Sequence, residues 1–140
     1  MTPTGLIDTG AILALVDSSD AWHESCVAAY NQCRLPLLTT QAVLTEVFHL
    51  AHGDRRQIAA IWRLLSSGAV QMSPIANDEL PAIRALMDEY ADRPMDFADA
   101  TLVYLGRRES LNMIFTVDRD DFETYRLLRN KKFTIIPDRR

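Results

Sequence analysis

The sequence predicts an α/β protein whose parallel sheet is covered by helices on both faces. Short apolar runs alternate along the chain with longer segments in which apolar residues recur at helical spacing. The short runs are apolar along their whole length, which is typical of parallel strands buried on both faces. With 140 residues, the chain is long enough for one domain with a single hydrophobic core. We therefore expect residues 1–140 to form one α/β domain with a layered sandwich architecture.

Five segments fit buried strands, because each is short and apolar and is flanked by polar or turn residues. The first, GLID, ends at Asp8, and the fourth, NMIFTVD, ends at Asp118. The strands are predicted over residues 5–8, 35–40, 69–75, 112–118 and 131–138.

Helices are predicted between these strands from their spacing and their end signals. Thr9 is a candidate cap for the first helix, and Thr39 or Thr40 for the third. Asp54 begins the fourth helix and Gly68 ends it. The helices are predicted over residues 11–17, 20–33, 41–53, 54–68, 77–93, 95–108 and 120–128.

Composition narrows the functional classes. No apolar segment approaches the roughly 18 residues of a membrane span, and the amino terminus lacks the basic region of a signal peptide. We expect a cytoplasmic protein without a membrane partner. The spacing of Cys26 and Cys33 fits neither a zinc site nor a disulfide framework.

The net charge is −4, with a balance of −5 over residues 1–54 and +3 over residues 119–140. This distribution does not by itself indicate a nucleic-acid binder. Metal ions that neutralise an acidic centre would nevertheless allow a nucleic acid to bind there, with the arginines of the tail beside it.

Four carboxylates lie in segments that otherwise look buried. Asp8 and Asp118 end apolar strands, and Glu46 and Asp99 lie within apolar helices. Ionised carboxylates are rarely buried unless they are paired or bind a metal. None of the four apolar runs contains a lysine or an arginine.

The predicted topology brings these acids together. Asp8 and Asp118 end strands, while Asp99 and Glu46 lie near the starts of helices, and both kinds of position face the same edge of a parallel sheet. Asp96, three residues before Asp99, shares its helix face. Without a cation such acids would raise one another's pKa. Oxygen ligands favour Mg²⁺ or Mn²⁺, which can activate water and stabilise the charge on a phosphate under attack.

Each acid also has a simpler explanation. Asp8, Asp118 and Asp96 could cap helices, and Glu46 could bind a backbone amide or a distant arginine. Asp99 is the hardest to explain in this way, because it lies inside an apolar helix. Since these explanations would have to coincide at four positions, the set favours a metal site.

Four segments resemble the motifs of the PIN-domain ribonucleases, most closely those of VapC-type toxins of bacterial toxin–antitoxin pairs. They are LIDTGAILAL, TTQAVLTEVFHL, MDFADATLVYLG and IFTVDRDDF, and together they extend over nearly the whole chain. The resemblance implies a three-layer α/β/α sandwich with a mainly parallel sheet of four to five strands. It also implies an endoribonuclease that cuts single-stranded RNA with Mg²⁺ or Mn²⁺, and the short chain suits a toxin.

The resemblance assigns roles to individual residues. The four acidic positions of the family are Asp8, Glu46, Asp99 and Asp118. The three aspartates are the expected direct metal ligands, and the glutamate either ligates the metal or orients a water. Asp96 matches a position that is acidic in some relatives, Thr116 a hydroxyl that supports the site, and Thr9 a small hydroxyl residue after the first aspartate. The resemblance further implies a homodimer and a cognate antitoxin protein whose tail blocks the acidic site.

Two other functions remain open. One is a PIN fold without catalysis that binds RNA or protein, which the four intact acids disfavour. The other is a receiver-like regulatory domain that holds Mg²⁺. It would need paired acids after the first strand, where only Asp8 stands, and a lysine after the last apolar strand, whereas Lys131 and Lys132 precede that strand.

The basic tail and the histidines indicate a function less clearly than the acids do. The tail cations could contact RNA phosphates or form a solvated face; they are Arg119, Arg126, Arg129, Lys131 and Lys132. The three histidines lie on predicted helices and fit surface or packing positions; they are His23, His49 and His52.

Overall fold

The computed structural model describes residues 2–138 and contains a five-stranded sheet in which every neighbouring pair of strands is parallel. The strands are Gly5–Ile7 (β1), Leu37–Thr39 (β2), Val70–Met72 (β3), Met113–Phe115 (β4) and Thr134–Ile136 (β5). Their order in the sheet is β3-β2-β1-β4-β5. At the centre, Leu6 pairs with Leu38 on one side and with Ile114 on the other. The predicted parallel α/β sheet is confirmed.

Seven α-helices lie within the described residues: Thr9–Val16 (α1), His23–Gln32 (α2), Gln41–Leu50 (α3), Arg55–Ser66 (α4), Leu80–Glu89 (α5), Phe97–Glu109 (α6) and Arg119–Thr124 (α7). Several predicted helix limits are wrong. The helices predicted to begin at residue 20 and to end at residue 53 begin at His23 and end at Leu50, and α1 is capped by Asp8 and not by Thr9. The helix predicted over 77–93 begins as a short 3-10 turn and ends at Glu89. The helix predicted over 120–128 ends at Thr124, because Tyr125 adopts an extended conformation with φ −66° and ψ 150°.

The strand order places a ligand crevice at the centre of the sheet. The chain moves outward from β1 through β2 to β3, then returns to the other side of β1 at β4. Because parallel crossovers are right-handed, this reversal puts helices on both faces of the sheet. Ligands of such sheets bind beyond the carboxyl ends of the strands where the order reverses, here between β1 and β4. The order also differs from the 2-1-3-4-5 order of receiver-type sheets, so the receiver-like alternative is wrong.

The core fixes the two central strands firmly. Leu6, Ile7, Ile114 and Phe115 are completely buried. Helix α1 packs against α2, α3 and α4, and α6 packs against α5. The carboxyl ends of β1 and β4 therefore form a rigid base for side chains that follow them. Within the described part of the chain, each helix is too short or too polar to span a bilayer.

Candidate metal centre

An acidic cleft of about 360 Å³ lies at the carboxyl ends of β1 and β4. Six carboxylates line this acidic cleft: Asp8, Glu46, Asp96, Asp99, Asp118 and Asp121. The first five were predicted from the sequence, and Thr9 lines the cleft as well. The acids come from four separate parts of the chain, so the fold and not local sequence brings them together.

Asp8 is the buried acid of the cleft. It directly follows β1 and caps α1, and its Oδ1 accepts a hydrogen bond of 3.1 Å from the amide of Ala11. Its Oδ2 accepts a hydrogen bond from the hydroxyl of Thr116. The Thr116 hydroxyl in turn accepts a bond of 2.9 Å from the amide of Asp118. Thr116 thus joins the ends of β1 and β4 through its hydroxyl.

Close backbone packing keeps these two strand ends together. Gly10 lies in the first turn of α1, next to Val117. A Cβ atom at Gly10 would lie 2.6 Å from a methyl carbon of Val117. The missing side chain lets the start of α1 approach the segment that carries Asp118.

Asp96 and Asp99 both belong to the start of α6. Asp96 is the N-cap, and its Oδ1 accepts a hydrogen bond of 2.7 Å from the amide of Asp99. The proposed capping role of Asp96 is therefore correct, and its carboxylate still lines the cleft. Asp99 is half-buried and accepts a hydrogen bond of 3.2 Å from the hydroxyl of Tyr125.

The tightest group of acids includes a residue that sequence reasoning missed. Carboxylate oxygens of Asp99, Asp118 and Asp121 all lie within 4.8 Å of one another. Asp118 precedes α7 but makes no capping bond with its side chain, whereas Asp8 and Asp96 do. Asp121 follows Asp118 by three residues, which is about one helical turn. The same three-residue spacing was used to place Asp96 on the helix face of Asp99, and it could have identified Asp121 as well.

Two of the predicted acids are more exposed than their apolar neighbours indicated. Glu46 and Asp118 are themselves exposed, although Val47 beside the first and Thr116 before the second are buried. In α3 the buried stripe runs through Val43 and Val47, and Glu46 points to the side of that stripe. Glu46 nevertheless lines the acidic cleft, and no lysine or arginine among residues 2–138 pairs with it.

The cleft has a basic neighbour that the sequence did not reveal. Arg93 precedes α6, and its Nε donates a hydrogen bond of 2.9 Å to Oδ1 of Asp121. Its Nη1 donates a bond of 2.8 Å to the hydroxyl of Thr124. Arg93 therefore ties the segment before α6 to α7.

Three of the six cleft acids have raised pKa values. Burial, and then the charges of Asp118 and Glu46, raise the pKa of Asp8 to about 7, against the lowering effect of its hydrogen bonds. Burial and the charges of Asp96 and Asp8 raise the pKa of Asp99 to about 8. Partial burial and the neighbouring carboxyl of Asp121 raise the pKa of Asp118 to about 6. These values show that the protein alone does not compensate the negative charge.

A wider groove opens beside the acidic cleft. It has a volume of about 600 Å³ and shares Glu46, Asp96 and Ala98 with the cleft. Its walls include Phe97, whose side chain is 47% exposed, and Leu80, which is 41% exposed. The acidic cleft is therefore accessible from a broad apolar surface.

None of the five tail cations lines the acidic cleft. Arg119 begins α7 directly after Asp118 and donates to the carbonyl oxygen of Pro137 just beyond β5, so it stays at the carboxyl edge of the sheet. Arg129 and Lys131 line a separate cavity with residues 110–112, which precede β4. These two cations therefore lie at the amino-terminal edge of the sheet, opposite the acids.

The donor set fits a hard divalent cation. All six side chains that converge offer carboxylate oxygens, and no histidine or cysteine of the described residues lines the cleft. Such oxygen-only sites suit Mg²⁺ or Mn²⁺. A bound cation would also relieve the repulsion that raises the pKa values of Asp8 and Asp99.

Comparison with known proteins agrees with this fold. The family model described as PIN domain matches residues 5–127. Ribonuclease VapC26 of Mycobacterium tuberculosis is 27% identical over 135 residues, which cover 94% of this chain and 99% of that protein. The crystal structure of Mycobacterium tuberculosis VapC20, described as a sarcin–ricin loop cleaving toxin, superposes with a TM-score of 0.75 at 22% identity. The match covers 84% of this chain and 92% of VapC20, and it confirms the predicted fold.

Proposed function

This chain belongs to the PIN-domain family, and we propose that it is a metal-dependent endoribonuclease that acts as the toxin of a toxin–antitoxin pair. The observation that carries the proposal is the convergence of six carboxylates at the point where the strand order reverses. The similarity to Ribonuclease VapC26 along nearly the whole of both chains supports the same activity. The reaction is the hydrolysis of phosphodiester bonds in RNA.

The proposed cofactor is Mg²⁺ or Mn²⁺. Asp8, Asp99 and Asp118 would hold the cation, with Asp121 close enough to share it. Bound there, the cation supplies positive charge to phosphoryl oxygens and lowers the pKa of water.

The protein side chains have distinct proposed tasks. Thr116 orients Asp8, and Tyr125 orients Asp99, each through a hydrogen bond to the carboxylate. Burial and the charge of Asp99 raise the pKa of Tyr125, so its hydroxyl stays a donor. Glu46 is exposed in the cleft and is placed to orient a water or to accept its proton. Asp96 fixes the start of α6, and Thr9 lines the floor of the cleft.

The proposed partners follow from the family and from the activity. The substrate is RNA, the chain acts as a single nuclease domain in the cytoplasm, and it forms a homodimer. A cognate antitoxin protein inhibits it by covering the acidic cleft. The relative VapC26 and the structural neighbour VapC20 support the assignment to the toxins of this family.

Cleavage of RNA by the purified protein tests the proposal. We expect cutting with Mg²⁺ or Mn²⁺ that stops with EDTA and falls by at least about 100-fold in Asp8→Asn, because even residues behind a metal ligand contribute 10–100-fold. Equal cutting by the variant and the wild type would indicate a contaminating nuclease. Metal binding without cutting would favour the alternative of a PIN fold that only binds RNA or protein.

A further inference from the structure

The acidic cleft has more negative charge than bound metal ions would compensate. Six carboxylates line it, and no lysine or arginine of the described residues does. Even two divalent cations, as in two-metal nuclease sites, would compensate only four of the six charges. An RNA strand adds further negative charge, so a cation at the rim would favour its approach.

Arg93 is the cation that the fold places at this rim. Six ion pairs occur among residues 2–138, and only the pair between Arg93 and Asp121 involves a carboxylate of the cleft. The two side chains approach to 2.9 Å, and 44% of the Arg93 side chain is exposed. Arg93 therefore combines a position beside the acids with access to solvent.

The guanidinium of Arg93 keeps one nitrogen without a hydrogen-bond partner among residues 2–138. Nε binds Asp121 and Nη1 binds Thr124. Nη2 forms no hydrogen bond to any residue from 2 to 138, whereas the corresponding atom of Arg108 binds Ser73. A planar guanidinium held at two nitrogens presents its third nitrogen in a fixed direction.

The segment that carries Arg93 is itself held in place. The Arg93 amide donates a hydrogen bond of 3.0 Å to the carbonyl of Tyr90. The Tyr90 hydroxyl accepts a bond of 2.9 Å from the amide of Arg126, and its ring packs edge-on against Tyr125 at 5.1 Å. Tyr125 is the same residue that donates to Asp99. Arg93 and the acidic cleft are thus positioned by one connected set of contacts.

We propose that Arg93 binds a backbone phosphate of the RNA as the strand enters the acidic cleft, through the free Nη2 of its guanidinium. This inference rests on the proposed ribonuclease function and adds a substrate-binding residue outside the set of acids. Arg93 reduces the repulsion between the cleft and the RNA, while the ion pair with Asp121 keeps the guanidinium oriented. Arginine is well suited to this task because its charge and donor geometry match phosphate.

The test compares Arg93→Ala, Arg93→Lys and the control Arg84→Ala. Arg84 lies on α5, and its side chain is 85% exposed and pairs with Asp88, so the control removes the same charge from a nearby surface. Three quantities are measured: kcat and KM for RNA cleavage with Mn²⁺, Mn²⁺ affinity without RNA, and binding of a short fluorescent single-stranded RNA with Ca²⁺ at several salt concentrations.

We expect Arg93→Ala to weaken RNA binding and raise KM by about tenfold, and to reduce the slope of log affinity against log salt by about one. The Mn²⁺ affinity should stay the same or increase, because a competing positive charge is removed. Arg93→Lys should restore the salt slope, because the charge is kept, but only part of the affinity, because lysine lacks the guanidinium geometry. Arg84→Ala should match the wild type.

Other results would overturn the inference. A loss of Mn²⁺ affinity and of kcat in Arg93→Ala, with an unchanged salt slope, would show that Arg93 only holds Asp121 in place. Wild-type cleavage together with unchanged RNA binding in Arg93→Ala would reject the inference and leave the ribonuclease proposal intact. A wild-type protein that neither binds nor cuts RNA would reject both.

Discussion

Two regions of this molecule use acidic side chains in opposite ways. In the acidic cleft, Asp8 and Asp99 are buried or half-buried near other acids, and their pKa values are raised to about 7 and about 8. On the opposite face of α6, Glu79 accepts hydrogen bonds from Tyr104, from the Ala76 amide and from Arg108, and its pKa is lowered to about 2. Glu79 finds its compensation inside the protein, whereas Asp8 and Asp99 have no lysine or arginine partner among residues 2–138.

The contrast shows that some acids stabilise this fold while Asp8 and Asp99 of the cleft destabilise it unless a cation binds. The Glu79 network joins the end of β3 to α6, because Arg108 also binds Ser73 and the carbonyl of Pro74. It stabilises the folded chain without any ligand. Asp8 and Asp99 instead oppose folding in their ionised form, because their pKa values are raised on folding, and a cation from solution can supply the missing charge.

The largest expected effect is on the rate of RNA cleavage, which should depend on the acids of the cleft and not on Glu79. Asp99→Asn should lower the rate of metal-dependent RNA cleavage by at least about 100-fold, since it removes a proposed metal ligand. Glu79→Gln should keep the wild-type rate, because Glu79 lies outside the cleft. The two rates are compared under single-turnover conditions. Equal losses in both variants would show that stability and not the cleft controls activity.

Thr116→Val tests the support behind the cleft. The substitution removes the hydroxyl that binds both Asp8 and the amide of Asp118. We expect a 10–100-fold weaker Mn²⁺ affinity and a loss of about 1–3 kcal/mol in the free energy of unfolding. Mn²⁺ titration and urea denaturation measure the two effects, with Thr134→Val as the control because the Thr134 side chain on β5 is exposed. Unchanged Mn²⁺ affinity would contradict the role of Thr116.

The pH dependence of stability should have opposite signs in the two regions. The pKa values of Asp8 and Asp99 are raised on folding, so the metal-free protein should lose stability as pH rises from about 4 to about 8. The pKa of Glu79 is lowered, so its contribution is present above its ordinary value of 4.5 and is lost as pH falls towards about 2.

Urea denaturation in EDTA at a series of pH values measures how the free energy of unfolding changes with pH on both sides. Saturating Mg²⁺ should remove the loss on the alkaline side, because it binds the ionised carboxylates. Glu79→Gln should flatten the acid side only. A metal-free stability that rises steadily up to pH 8 would contradict the uncompensated charge of the cleft.

Arg108→Ala should have the smallest effect. It removes the ion pair with Glu79 and the bonds to Ser73 and Pro74 at a mostly buried position on α6. We expect the melting temperature to fall on the order of 5 °C, with Mn²⁺ affinity and cleavage rate unchanged. Differential scanning calorimetry measures the shift. Weakened Mn²⁺ binding in this variant would mean that the two regions are coupled through α6.

The fold and the main acids could be predicted because both depend on local patterns. Fully apolar strands indicate a parallel sheet, and its geometry places Asp8 and Asp118 at one edge. The exposure of Glu46 was not predicted, because apolar neighbours in sequence do not reveal which side of α3 faces the core.

Asp121 could have been found from its three-residue spacing after Asp118, because α7 begins directly after Asp118. The contributions of Tyr125 and Arg93 instead depend on contacts between distant segments. Tyr125 reaches Asp99 because the chain becomes extended after Thr124, where a longer helix was predicted. Composition and spacing do not encode these long-range contacts.

The most direct test of the account is the melting temperature of the wild type and Asp99→Asn at about pH 8, without and with Mn²⁺. Asparagine keeps an oxygen that can accept the Tyr125 hydrogen bond, so the substitution mainly removes charge. Without metal, we predict that Asp99→Asn melts at a higher temperature than the wild type. With Mn²⁺, the order should reverse, because the wild type gains stability from binding. A lower melting temperature of Asp99→Asn without metal, or an equal gain of both proteins with Mn²⁺, would contradict a metal centre built from uncompensated acids.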